Sequence, residues 1–278
     1  MGVRIVTDSA CDLPDEIAAE LGIVIVPLTI RFGADEFVDR RDLSPEDFWK
    51  RCAASPVLPE TAAPAPGQFE AAFRGLVDDG ATGIVCVSLS SAMSATMQSA
   101  QVAANALSST VPIEVVDSRS ATLGLGMIAV DAAERARDGG SAAEVAEQAR
   151  DLTARSHVWG ALDTLENLRK GGRIGGAKAM LASVLSIKPI IEVRDGRVEE
   201  GGKQRTRSKA LQFLVDKVRA AGPLERLAVL QADAPDVDAF VTQLQPLAPA
   251  PIVVGHVGPV VGTHAGRGAI GVVWHSPR

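Results

Sequence analysis

Apolar and polar positions alternate between two periods along this chain, and the change of period divides it in half. Val3–Thr7 is a short apolar run that reads as a strand. Pro14 and Gly22 bracket a helix over Asp15–Leu21, with Asp12 as its candidate cap. Ile23–Ile30 reads as one further strand, and Ser44 caps a short helix over Pro45–Arg51. Ala53–Gly67 carries Pro56, Pro59, Pro64 and Pro66 and is expected to be largely non-helical. Gln68–Gly80 then reads as an amphipathic helix, Ile84–Leu89 as a strand, Ala95–Leu107 as a helix, Ile113–Asp117 as a strand and Thr122–Gly139 as a helix. Such alternation of strand and helix predicts a mostly parallel sheet covered on both faces.

The second half has a different rhythm. Ala142–Ser156 is expected to be helical, with shorter helical pieces at Leu162–Leu168 and Ala177–Leu185. Lys188–Arg194 and Arg197–Gly201 flank Asp195-Gly196, a strong hairpin signal. Ser208–Ala221 and Val237–Leu244 read as helices; Arg226–Gln231, Ile252–Val257 and Gly268–Trp274 read as strands. We therefore expect an α/β protein with two domains: a mostly parallel α/β/α domain over residues 1–155 and an α+β domain with a mixed sheet over 156–278.

Composition narrows the function classes. The net charge of −6 argues against a nucleic-acid partner. Three widely spaced cysteines offer no disulfide framework and no zinc pattern, which suits a reducing compartment. No apolar run reaches the ~20 residues of a membrane span. The N-terminus lacks the apolar run of a signal peptide. These features predict a cytoplasmic protein with no stable membrane insertion.

Candidate chemistry lies in the loops. Ile84–Ala100 passes from a buried-type strand through Ser88, Ser90, Ser91 and Ser94 into a helix. A helix N-terminus attracts anions, and here the nearby donors are hydroxyls with no lysine and no run of glycines, unlike a phosphate-binding loop. This suggests a small anion such as a carboxylate; simple helix capping is the other reading of the serines. Asp8-Ser9 and Asp117-Ser118-Arg119 each follow a strand at the sheet edge where ligands bind in open parallel sheets, although turn chemistry explains them equally.

Thr61 sits in a proline-held loop and could donate a hydroxyl to an anion, although a surface threonine beside prolines is the favoured reading. Lys170-Gly-Gly-Arg173 is a glycine turn between two cations. With Lys203, Arg205, Arg207 and Lys209 it forms either a cationic patch for a phosphorylated or acidic partner or a solvated basic face. His264 lies in the glycine-rich turn Gly262–Gly268. A serine nucleophile at Ser94 with His264 as its base is the enzymatic alternative, a hydrolase or acyltransferase, and it requires the fold to bring the two together. No metal-ligand spacing is present.

Taken in order, VTDSACDLP (6–14), TAAPAPGQF (61–69), SLSSAMSATMQSA (88–100), VVDSRSATLGLG (115–126), LENLRKGGRIGG (165–176), IKPII (187–191), KQRT (203–206) and GTHAGRGAIGV (262–272) resemble the DegV family of bacterial fatty-acid-binding proteins over essentially the whole chain. The resemblance implies a non-catalytic protein that encloses one long-chain fatty acid between two domains and needs no other cofactor. By resemblance, Thr61, Ser94 and His264 hold the carboxylate, with Ala95 beside them. Arg173 meets a fatty acid kinase subunit, which converts the carboxylate to an acyl phosphate for phospholipid synthesis. This chain departs from the family pattern at Ala95, where glycine is usual, at Ala62 and Ala63, where polar residues are usual, and at Arg267, where proline is common. Those changes bear on pocket shape and chain-length preference.

Overall fold

The computed structural model describes residues 2–182 and 187–278. Strands and helices are numbered along the chain. β1 (Val3–Asp8), β2 (Val24–Val26), β6 (Gly83–Ser88) and β7 (Ile113–Asp117) form a sheet in the order β2-β1-β6-β7, with every neighbouring pair parallel. β6 is buried along its whole length, so it reads as a continuous apolar run with no alternation. Helices α3 (Pro66–Asp78) and α4 (Thr96–Ala106) cover one face through Phe69, Phe73, Ala100 and Ala103. Helices α5 (Thr122–Arg137) and α6 (Ala142–Arg155) cover the other through Leu125, Ile128, Val145 and Ala149. This is the expected parallel α/β/α layering.

The run Ile23–Ile30 is two strands, not one. Pro27 cannot donate to a ladder, and the chain leaves the parallel sheet there. Beyond it, β3 (Thr29–Phe32) pairs antiparallel with β4 (Asp35–Val38) and with β5 (Glu60–Ala62). α2 (Pro45–Ala54) runs past Arg51 into the proline-rich stretch, whose remainder is non-helical until α3 begins at Pro66. Asp12 does not cap α1 (Asp15–Leu21): it adopts a left-handed backbone (φ 50°), and its carboxylate accepts the Gly258 N–H at 2.9 Å.

The second sheet is mixed. Its order is β10-β9-β8-β13-β11-β12, built from β8 (Ser156–Ala161), β9 (Lys188–Arg194), β10 (Arg197–Gln204), β11 (Arg226–Gln231), β12 (Val253–His256) and β13 (Ile270–His275). Only β11 and β12 pair in parallel. α8 (Arg207–Ala220) and α9 (Val237–Leu244) pack on its outer face, where Leu214, Val218 and Phe240 meet Leu227, Val229 and Val272. The inner face, with Val158, Leu230 and Val273, joins the core around α5. α5 is therefore shared by both sheets. Arg226 of β11 pairs with Asp131 of α5 at 2.8 Å and also with Glu134, and His275 Nδ1 lies 3.1 Å from Asp131.

Several expectations shift. β8, which the sequence pattern did not predict, follows α6 directly. The helical piece at Leu162–Leu168 is α7 (Glu166–Lys170). The piece at Ala177–Leu185 is a 3-10 helix over Gly175–Ala182, and residues 183–185 lie outside the described residues. Most of the glycine-rich turn is helical: α10 (Pro259–Ala265) contains Gly262, Thr263 and His264, and only Gly266–Gly268 turns. Cys11, Cys52 and Cys86 are free thiols. Among the described residues, no helix is long and apolar enough to cross a membrane.

Candidate functional site

Thr61 and His264 meet although 203 positions separate them in the chain. Thr61 is the central residue of the short strand β5, opposite Ile30. α10 packs on β3 and β5 and carries His264 in its last turn. Thr61 Oγ1 and His264 Nε2 share a hydrogen bond of 3.2 Å. Asp12 holds the start of α10 through Gly258, and Asn167 Nδ2 donates to the Thr263 carbonyl at 3.3 Å near its end. Gly262 lets the helix sit against α2, because a Cβ there would lie 3.0 Å from the Phe48 ring.

The imidazole also rests on the Lys170–Arg173 turn. A Cβ on Gly171 would fall 2.3 Å from His264 Nδ1, so this glycine gives the ring its place. Burial, and secondarily the Arg173 guanidinium, push the His264 pKa down to about 4. The imidazole is neutral at neutral pH. Arg173 itself is exposed and spans the mouth of the site: its Nε donates to the Met93 carbonyl at 3.1 Å and its Nη1 to the Gly171 carbonyl at 2.9 Å.

The serine-rich turn divides its labour. Ser88 Oγ (3.2 Å) and the Leu89 N–H (2.7 Å) donate to Asp8, whose pKa burial raises to about 6 against the lowering effect of these bonds. Ser90 Oγ donates to the Gly196 carbonyl at the β9–β10 hairpin tip at 2.7 Å, and Ser91 Oγ donates to Asp117 at 2.5 Å. Ser94 is different. Among the described residues its hydroxyl is bonded only locally, to Thr96 Oγ1 at 2.8 Å and to the Thr96 N–H at 3.3 Å, and it lines a cavity together with Ala95. Ala95 is the residue before α4 and supplies no side-chain cap; the first N–H of that helix, on Thr96, is met instead by Ser94 Oγ.

That cavity, about 240 Å³, lies between the inner face of the second sheet, the start of α5, the serine-rich turn and α10. Thr61, Ser94, Ala95, Arg173 and His264 all line it, and its remaining walls are mainly aliphatic, including Leu28, Leu89, Val158, Ile191, Val193 and Leu230. An outer hollow of about 430 Å³ shares Thr61, Arg173 and His264 and adds Lys170. The five residues singled out from the sequence are thus gathered around one opening.

Other candidates serve the structure. Asp8, Ser9, Asp117 and Ser118 do not line the cavity; Ser9 Oγ accepts the Leu28 N–H at 3.0 Å, and Asp117 also accepts the Arg119 N–H at 2.9 Å. They hold the turns that do line it. Arg207 is committed to Asp236 at 2.8 and 2.9 Å and to the Gly268 carbonyl, which removes it from any open cationic patch. Arg267 pairs with Asp233 at 2.7 Å. Among the described residues, no hydrogen bond joins Ser94 to His264: the histidine faces Thr61, so the nucleophile–base pair of the enzymatic alternative is not formed. Sequence reasoning missed Asp12, Met93 and Gly171 as supports. Only Gly171 gave a signal, as a loop glycine permitting close approach.

Residues 2–276 match the family described as "Uncharacterised protein, DegV family". The chain belongs to the DegV family. It is 37% identical over 279 residues to a DegV domain-containing protein of Mycobacterium bovis, covering 98% of this chain and 96% of the relative. It is 37% identical over 277 residues to one of Streptomyces coelicolor, covering 98% and 97%. Among solved structures, the fatty acid binding DegV family protein from Thermus thermophilus superposes with a TM-score of 0.91 at 30% identity over 100% of both chains. DegV of Bacillus subtilis, a fatty acid binding protein, gives 0.86 at 27% identity, again over 100% of both. A stearic acid-binding protein from Eubacterium ventriosum gives 0.88 at 25% identity over 98% of each chain. The α/β architecture of this DegV-family chain, with one parallel and one mixed sheet, is the architecture of these neighbours.

Proposed function

We propose that this DegV-family protein binds one long-chain fatty acid between a domain of residues 1–155 and a domain of residues 156–278, and presents the carboxylate to a fatty acid kinase. The observation that carries the reading is the make-up of the cavity: Thr61, Ser94, His264 and Arg173 line it together, Thr122 is a further polar residue, and most of the remaining lining is aliphatic. A long amphiphile with one polar end matches that make-up. Each buried methylene contributes about 0.8 kcal/mol, partly offset by the entropy the ligand loses. A buried carboxylate needs hydrogen bonds to offset its desolvation, and the Ser94 hydroxyl and the hydrogen-bonded Thr61–His264 pair supply donors for it.

On this reading the protein provides no catalytic base and needs no cofactor besides the lipid. A neutral His264 suits it, because the imidazole orients the carboxylate without removing its reactivity towards phosphorylation. Arg173, exposed at the rim beside the outer hollow, is the residue we assign to contact with the kinase. The reading also makes the protein cytoplasmic, where kinase and phospholipid synthesis meet. The fatty acid binding of the Thermus thermophilus and Bacillus subtilis relatives supports it.

The test is denaturing extraction of protein purified from a heterologous host, followed by mass spectrometry. We expect about one fatty acid per chain. Protein that arrives empty and also refuses added oleate would overturn the proposal.

A further inference from the structure

One row of cross-strand neighbours on the second sheet runs Ile191, Gly160, Gly271, Leu230 across β9, β8, β13 and β11. The next row along the strands is Val193, Val158, Val273, Ala228. Two glycines thus stand side by side between aliphatic neighbours, and the side-chain layer of the sheet is missing there. Side chains alternate along β8: Trp159 turns outwards to Phe213, with ring centroids 6.2 Å apart, while Val158 lies in the core around α5. Gly160 therefore faces inwards with Val158, and it lines the cavity.

The two glycines are not equivalent. A Cβ on Gly271 would sit 2.4 Å from the Trp159 carbonyl oxygen, so strand packing itself requires that glycine. A Cβ on Gly160 would meet nothing nearer than Ile191 Cγ1 and the Ile270 oxygen, both at 3.7 Å. Its φ lies outside the left-handed region, so the backbone does not demand glycine either. Glycine inside a strand weakens it and often marks a close approach by another group. Gly160 leaves open a space that the protein does not fill.

We propose that Gly160 determines acyl-chain length: its missing side chain leaves a trough in the cavity wall that part of the tail fills, so the longest chain the cavity holds depends on that space. The inference rests on the fatty-acid reading of the cavity and adds the residue that selects among fatty acids.

Wild type, Gly160→Ala and Gly160→Val are each incubated with an equimolar mixture of lauric, myristic, palmitic and stearic acids, re-purified, denatured and extracted, and the retained acids are measured by mass spectrometry. Valine fills roughly three methylenes of space, so the ratio of stearate to laurate should fall on the order of fiftyfold in that variant. Alanine should shift the ratio in the same direction by less, and it decides the matter if the valine variant does not fold. Laurate retention should stay near that of wild type. An unchanged profile in a folded variant, or equal loss of all four acids, overturns the assignment of Gly160 while leaving the binding site standing. A wild type that retains none of the four overturns the binding site and the assignment together.

Discussion

The site is assembled from contacts that tolerate little change. Thr61 and His264 share one hydrogen bond, and the imidazole is seated on Gly171 with a clearance that excludes even a methyl group. Thr61→Val keeps the shape and removes the hydroxyl. A hydrogen bond to a charged group contributes about 1.5–3 kcal/mol, so fatty-acid affinity should weaken by roughly tenfold to a hundredfold in a titration with a fluorescent fatty acid. Gly171→Ala should displace His264 and weaken binding in the same assay while circular dichroism stays unchanged; unaltered affinity would show that the ring position does not matter. Arg173→Ala should retain lipid and lose phosphorylation when a kinase and ATP are supplied; full phosphorylation would remove Arg173 from the kinase contact.

At the scale of elements, α10 is what brings His264 to Thr61, and Asp12 anchors its start. That anchor is a buried carboxylate whose pKa burial raises to about 7 from 3.8. The folded state holds this proton more tightly than the unfolded chain, so the contribution to stability is full below pH 3.8 and is lost as pH rises towards 7. His264 works the other way: its folded pKa of about 4 lies below 6.5, so stability is lost as pH falls from 6.5 towards 4. Asp12→Asn keeps an acceptor for Gly258 and suits the left-handed backbone at that position. We expect it to raise Tm more at pH 8 than at pH 5, read by thermal melts across the range. A variant less stable than wild type at pH 8 would contradict this.

The elements also explain what could be read in the sequence. β6 is a continuous buried strand between helices α3 and α4, and the apolar residues of β1 open the chain ahead of α1, so the parallel sheet was legible. The hairpin of β9 and β10 was marked by Asp195-Gly196, both at positive φ. β8 was hidden because Gly160 interrupts its inner face, the feature that hollows the sheet. α10 was hidden because Gly262, which admits Phe48, reads as loop composition. β5 was hidden among prolines. Thr61, Ser94 and His264 were each readable as polar groups in permissive backbone, but only the resemblance joined them, because long-range pairing leaves no local pattern.

The whole molecule is joined through α5, which packs on the parallel sheet and on the inner face of the mixed sheet. The Arg226 pairs with Asp131 and Glu134 fasten that shared helix, and Arg119 pairs with Asp195 at 2.8 Å across the hairpin tip. Arg226→Met leaves the half-buried Asp131 and the more exposed Glu134 without this cation, a loss on the order of 1–2 kcal/mol once solvent screening is allowed for. Calorimetry should show a lower Tm with a single transition; two separate transitions in wild type would contradict the shared core. The cavity draws its lining from both halves of the sequence, with Ile191, Val193 and Val198 of the β9–β10 hairpin among its walls. The most direct test of its role is the carboxyl resonance of carboxyl-labelled carbon-13 palmitate added to the protein. One bound resonance in slow exchange, distinct from free palmitate in wild type and altered in both Thr61→Val and His264→Ala, is the predicted result. A bound resonance indifferent to both substitutions would place the carboxylate elsewhere and contradict the account.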